Sequence, residues 1–131
     1  MIYLDTSALL KLFVHEPESS ALSHWLTQQT GTRVVTSELT RLETLRACRR
    51  EYVDLLLQAQ AFLGFLDVVA LAGDILEDAV HVGTPTLRSL DAIQLASALA
   101  IEEELTAFVV YDERLFEAAA AAGLRPIRPG A

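Results

Sequence analysis

The chain has 131 residues, 52% hydrophobic and 21% charged, with 18 acids against 10 bases and a net charge of −8. That length supports one domain, residues 1–131, able to bury roughly two-thirds of its unfolded surface without disulfide or zinc; the single cysteine, Cys48, excludes an intrachain disulfide and a Cys-cluster metal site. No uncharged stretch reads as a bilayer span of ~20 apolar residues, and the N-terminus lacks a basic region and meets an acid at Asp5, so neither membrane insertion nor a secretion signal is expected and the chain reads as cytoplasmic.

Met1 to Leu4 is predicted as a short buried strand, ending at Asp5. Thr6-Ser7 can cap a helix from Ala8 to Val14. Pro17 suits a first helical position, and Glu18 to Gln28 continues as helix. Gly31 breaks the chain before a second strand, Arg33 to Thr36. Ser37 or Thr40 caps a helix running to about Arg50, and Tyr52 to Phe65 supplies the second arm of a helical hairpin. Leu66 to Leu71 is a strand, Asp74 to Val82 a helix, and Leu87 to Glu104 a long helix. Thr106 to Tyr111 is a strand, Glu113 to Ala122 a helix stopped by Gly123, and Leu124 to Ile127 a last strand. Strands alternate with helices and are apolar runs rather than alternating patterns, which argues for α/β architecture with a mainly parallel sheet of four to five strands covered on both faces.

Four carboxylates stand in unusual places. Asp5 and Asp112 each directly follow an apolar strand. In open α/β sheets the carboxyl ends of strands line the ligand crevice, so the two can be neighbours in space; each can also simply cap the next helix. Asp91 opens a helix apolar almost all round, on which Asp91, Gln94 and Ser97 form one narrow polar stripe. A buried carboxylate there needs a partner or a metal, and Arg88, one turn earlier, offers a surface ion pair instead. Glu43 shares a helix face with Leu39 and Ala47, although Thr40 to Glu43 also fits a capping box. Glu38 is a weaker fifth candidate, suited to the first helical turn.

Carboxylates gathered together repel unless a hard cation such as Mg²⁺ or Mn²⁺ lies among them, and such ions take oxygen ligands. His15, His24 and His81 show no ligand spacing. An all-oxygen site can activate a water and neutralise a phosphodiester. Setting the four acids aside leaves 14 against 10, so an acidic chain can still meet RNA through a metal and local arginines. Arg46 and Arg50 lie three and seven residues after Glu43, with Arg41 and Arg49 nearby; they suit phosphate contact or a solvated face that balances Glu51 and Asp54.

The segments Leu4-Asp5-Thr6-Ser7-Ala8, Ser37 to Glu43, Leu90 to Ala98 and Val110-Tyr111-Asp112-Glu113-Arg114-Leu115, in that order, resemble the PIN-domain ribonucleases, and most closely the VapC toxins of bacterial and archaeal toxin–antitoxin pairs. The resemblance spans residues 2 to about 127. It implies a three-layer α/β/α fold, Mg²⁺- or Mn²⁺-dependent hydrolysis of RNA, a homodimer, and inhibition by a VapB-type antitoxin. It implies that Asp5, Glu43, Asp91 and Asp112 are the catalytic and metal-binding acids, supported by the hydroxyl of Thr6 or Ser7. Two positions depart from the family: Val110 stands where Thr or Ser is frequent, and Gln94 where many relatives carry His.

A haloacid-dehalogenase-like phosphatase also places an Asp after its first strand, but needs a second Asp where Ser7 stands and a downstream lysine, and Lys11 is the only lysine. A receiver domain lacks the same lysine. A non-catalytic PIN-like interaction module would keep the fold without needing all four acids.

Overall fold

Short apolar runs become strands when both faces can be covered, and here both are. The computed structural model describes residues 1–131. Its strands are β1 (Ile2–Leu4), β2 (Val34–Ser37), β3 (Asp67–Val69), β4 (Ala107–Val109) and β5 (Pro126–Ile127), all parallel in the order β3-β2-β1-β4-β5. The helices are α1 (Thr6–Lys11), α2 (Ser19–Thr27), α3 (Glu38–Glu51), α4 (Leu56–Leu63), α5 (Gly73–Ala79), α6 (Ser89–Leu99) and α7 (Glu113–Ala121). The sheet carries five strands at its centre and helices on both faces, the expected three-layer α/β/α arrangement.

Period-two side-chain alternation divides the core. Tyr3, Phe108 and Val110 point to one side and pack with Leu95 and Ala98 of α6 and Leu115 and Ala119 of α7. Ile2, Leu4, Ala107 and Val109 point to the other and pack with Ala8 and Leu9 of α1, Leu22 of α2 and Leu63 of α4. Strand β1 lies between β2 and β4, so the chain leaves it in one direction through β2 and β3 and later returns on its other side. The switch point is therefore between β1 and β4, and Asp5 follows one strand while Asp112 lies just beyond the other.

Several boundaries differ from the sequence reading. The cap of α1 is Asp5, whose side chain accepts from the Ala8 amide; Thr6 and Ser7 lie inside the first turn. Ser37 caps α3 by accepting from Thr40 N, so the capping box between Thr40 and Glu43 is not made. The long helix expected over Leu87 to Glu104 is shorter, because Arg88 is extended and the helix ends at Leu99. The successive glutamates Glu102, Glu103 and Glu104 oppose a helix C-terminus; they form a 3₁₀ turn, and the chain then bends back so that Thr106 N donates to Met1 O. Tyr52 departs from helical geometry, which inserts a 3₁₀ turn (Val53–Leu55) before α4 in the hairpin. Strand β3 keeps only Asp67–Val69, the three residues that pair with β2.

Helix α7 ends as the sequence expects, and the geometry shows why. Leu124 N donates to Ala119 O and Gly123 N to Ala120 O, the double bond of a Schellman motif. Gly123 holds φ +88°, and a Cβ there would touch nothing within 4 Å. Replacing it costs only backbone strain. G123A is expected to lower unfolding stability by about 1 kcal/mol, read by urea denaturation with an unchanged m-value.

Candidate active site

Asp5 is 4% exposed at the carboxyl end of the central strand. Its Oδ1 accepts from Ala8 N at 3.0 Å and from Ser7 Oγ at 2.7 Å. Ser7 Oγ in turn accepts from Tyr111 N at 2.9 Å. One hydroxyl thus ties the first turn of α1 to the loop after β4, the loop that carries Asp112. Asp112 caps α7 by accepting from Leu115 N at 2.9 Å. For both aspartates, capping and membership of the acidic group coexist.

Asp91, in the first turn of α6, presents a buried Oδ2 with no hydrogen-bond donor. The Arg88 guanidinium stands near it, with Nε at 3.5 Å, at ion-pair distance but without hydrogen-bond alignment. The same guanidinium reaches Asp112 Oδ2 at 3.9 Å. The surface ion pair anticipated from the sequence is therefore present, and it spans two carboxylates rather than one.

Glu43 stands to one side. Its Oε1 accepts from Thr6 Oγ1 at 2.7 Å. Thr6 Oγ1 accepts from Gln94 Nε2 at 3.2 Å, and Gln94 also donates to Thr40 Oγ1 at 2.7 Å. Gln94 Oε1 accepts from the buried Tyr3 hydroxyl at 2.6 Å. Gln94 joins β1, α1, α3 and α6 in one hydrogen-bonded network. The sequence marks it only as a polar residue on an apolar helix, three positions after Asp91; the spacing was visible, but its partners were not.

Proton affinities record the crowding. Burial pushes the Asp5 carboxyl up to about 7; the Ser7 and Ala8 hydrogen bonds oppose this, while Asp112 and Asp91 add to it. Burial and Asp112 also push Asp91 up, with Arg88 and Arg114 pulling it down. Burial holds the Tyr3 phenol far above its ordinary range.

The donor set is all oxygen, which is the chemistry of Mg²⁺ or Mn²⁺, and the orphaned Asp91 Oδ2 is a buried acceptor suited to a cation. As placed, no three His, Cys, Asp or Glu side chains stand close enough together to hold one ion; Arg88 supplies the positive charge instead. Arg46 and Arg50 are exposed on α3, and Arg50 Nε pairs with Glu51 at 3.0 Å. The cations beside Asp91 are Arg88 and Arg114, which the sequence reading did not assign to RNA.

Fold and site define a doubly wound α/β domain with acidic groups at its switch point. The family pattern described as PIN domain matches residues 2–121. Ribonuclease VapC47 of Mycobacterium tuberculosis is 44% identical over 134 aligned residues, covering 100% of this chain and 98% of that protein. The crystal structure of Mycobacterium tuberculosis VapC20, described as a Sarcin-Ricin loop cleaving toxin, superposes with a TM-score of 0.76 at 21% identity, covering 98% of this chain and 100% of that one. VapBC2 of Rickettsia felis, solved bound to a DNA fragment from its promoter, gives a TM-score of 0.76 at 14% identity, over 98% of this chain and 99% of that one. The chain belongs to the PIN-domain family and, within it, to the VapC group. The phosphatase alternative loses its ground: Ser7, where that chemistry needs an acid, is a hydrogen-bond donor to Asp5.

The raised Asp5 carboxyl has a consequence for stability. Between its ordinary value of 3.8 and about 7, the folded protein holds a proton that the unfolded chain has released. The folded state then binds more protons, so stability falls as pH rises through that window and levels off above it. Asn keeps the cap but cannot titrate. In EDTA, the wild type is expected to lose melting temperature from pH 4.5 to 7.5, and D5N to lose much less; parallel profiles would contradict the buried, crowded Asp5.

Proposed function

We propose that this protein is a metal-dependent endoribonuclease, the toxin of a toxin–antitoxin pair, cutting RNA phosphodiesters at the Asp5–Asp91–Asp112 group. The observation that carries the reading is the placement of Asp5 and Asp112 after β1 and β4 at the switch point, with Arg88 joining Asp112 to Asp91, whose Oδ2 is left without a donor. Full-length similarity to a relative named as a ribonuclease supports it.

Asp5 and Asp91 would hold a Mg²⁺ or Mn²⁺ ion, with Glu43 and Asp112 completing the charge and orienting water. Such an ion withdraws charge from the phosphodiester and acidifies water. Ser7 and the Ala8 amide fix the Asp5 carboxyl, and Thr6 fixes Glu43. A water oriented by Glu43 and Asp112 gives its proton to a carboxylate of the group. Its oxygen bonds to phosphorus in line with the 3′ oxygen, the P–O3′ bond breaks, and the leaving oxygen takes a proton from solvent. Gln94, which stands where many relatives carry His, has no imidazole to offer, and its amide is engaged with Tyr3, Thr6 and Thr40.

The partners would be RNA, a VapB-type antitoxin and a second copy of the chain. Exposed apolar side chains on α3 to α4, Leu42, Val53 and Leu57, support a protein-binding surface. Light scattering at micromolar concentration is expected to read a dimer; a monomer would remove that part of the reading. In this proposal, Arg46 and Arg50 contact RNA phosphates from α3.

D5N and D91N keep side-chain size and remove charge. Each is expected to cut RNA at least a hundredfold more slowly, because metal-based charge stabilisation contributes several kcal/mol, about 1.4 per tenfold. EDTA should abolish wild-type cleavage, and Mn²⁺ should restore it. Near-normal Mg²⁺-dependent cleavage by either variant would contradict the assignment. In the same assay, a salt series on R46Q/R50Q should show weaker RNA binding with a shallower salt slope; an unchanged slope leaves both arginines as solvated-face residues.

A further inference from the structure

A groove of about 760 Å³ runs between the Gly83–Leu87 loop and α7. Its volume lies within the range of ordinary ligand sites. Its two walls lead in sequence to the carboxylates. Leu87 lines it, and the next residue, Arg88, reaches Asp91 and Asp112. On the opposite wall, Asp112 caps α7, and Arg114, two residues further on, lines the groove. Both residues that link groove and acids are cations, in a chain whose overall charge would otherwise repel a polyanion.

The lining suits one kind of occupant. Ala118, Ala121 and Ala122 contribute small side chains to its wall along α7. The Thr84 and Thr86 hydroxyls, 3.2 Å apart, bond only to each other and are exposed. Glu117 offers an acceptor of the kind that pairs with a base amino group. Sequence-tolerant binding of single strands relies on a positively charged groove that tracks the backbone, and here Arg114 lines the groove with Arg88 at its edge. The two most exposed large apolar side chains, Leu57 and Phe65, lie on and just after α4, elsewhere in the chain, while Val80 and Leu90 flank the groove loop in sequence without lining the groove.

We propose that this groove holds the nucleotide flanking the scissile phosphate of single-stranded RNA, with Arg88 and Arg114 on its phosphates and Thr84, Thr86 and Glu117 on its base and ribose. The proposal rests on the ribonuclease reading above and adds to it a substrate-binding subsite outside the carboxylate group.

The test uses A121W, which fills the groove from an exposed position, and R114Q, which removes one cation. RNA affinity is read by fluorescence anisotropy on a short single-stranded RNA, with each variant placed in a D5N background so that nothing is cleaved. A121W is expected to weaken binding about tenfold by blocking base contact and to leave the salt slope unchanged. R114Q is expected to weaken binding several-fold and reduce the slope by about 0.7. In the cleaving background, A121W should raise KM with kcat and melting midpoint nearly unchanged, and R114Q should raise KM. If A121W melts early, R114Q decides alone. Folded variants that bind RNA like their parent, or that lose a protein partner but not RNA, overturn the groove while wild-type cleavage leaves the ribonuclease reading standing. A wild type that neither binds nor cuts RNA overturns both.

Discussion

The Asp5 carboxyl is held almost out of water at the end of the central strand, and the surrounding structure is arranged around that burial. A charge in such a place is costly unless it is hydrogen-bonded and paired. Its hydrogen bonds come from the first turn of α1, through the Ala8 amide and the Ser7 hydroxyl. Ser7 is itself held by the Tyr111 amide, so fixing Asp5 also fixes the loop that carries Asp112. What the fold does not supply at Asp5 is a cation. Arg88 is shared between Asp91 and Asp112, and burial pushes the Asp5 carboxyl up to about 7. One member of the acidic group, Asp91, keeps a buried oxygen without a donor, and incompletely satisfied buried polar groups call for an explanation such as a functional role or a bound ion.

Much of this was legible in the sequence, for identifiable reasons. Apolar runs such as Ile2-Tyr3-Leu4 and Ala107-Phe108-Val109 become strands because both of their faces meet helices, and their ends place Asp5 and Asp112. Gly123 stops α7 because only a residue tolerant of positive φ closes the Schellman motif. Other features depend on distant partners. Leu87 and Arg88 fit a helical pattern, yet they stay outside α6: Leu87 packs closely against Gly83, and Arg88 is extended toward the acids. Gln94 reads as a polar interruption, and only the fold reveals that it joins Tyr3, Thr6 and Thr40. Arg46 and Arg50 attract attention by their spacing from Glu43; Arg88 pairs with Asp91 as its one-turn spacing suggests, and only the fold extends it to Asp112 and sets Arg114 to act on Asp91.

The division of labour among the four acids also differs from a symmetric cluster. Asp5, Asp91 and Asp112 influence one another directly, while Glu43 is attached through the Thr6 hydroxyl. The group then has a desolvated member at the sheet, an unsatisfied member on α6, and two more accessible members at the rim. Such a gradient suits a site in which inner carboxylates bind and outer ones orient water. Arg88 joins the outer part, and its side chain is largely exposed, so its hold on the two carboxylates is weak.

Shared acidic crowding is therefore the central claim, and thermal melts of wild type and D91N, in EDTA and in millimolar Mn²⁺, test it most directly. Removing one charge from a crowded, cation-poor group should raise the melting point of the metal-free protein. Mn²⁺ should raise the wild-type midpoint by binding the folded state and raise that of D91N far less. A D91N protein that melts below wild type in EDTA, and responds to Mn²⁺ to the same extent, would contradict the account: Asp91 would then be a carboxylate stabilised by Arg88 alone, outside any shared site.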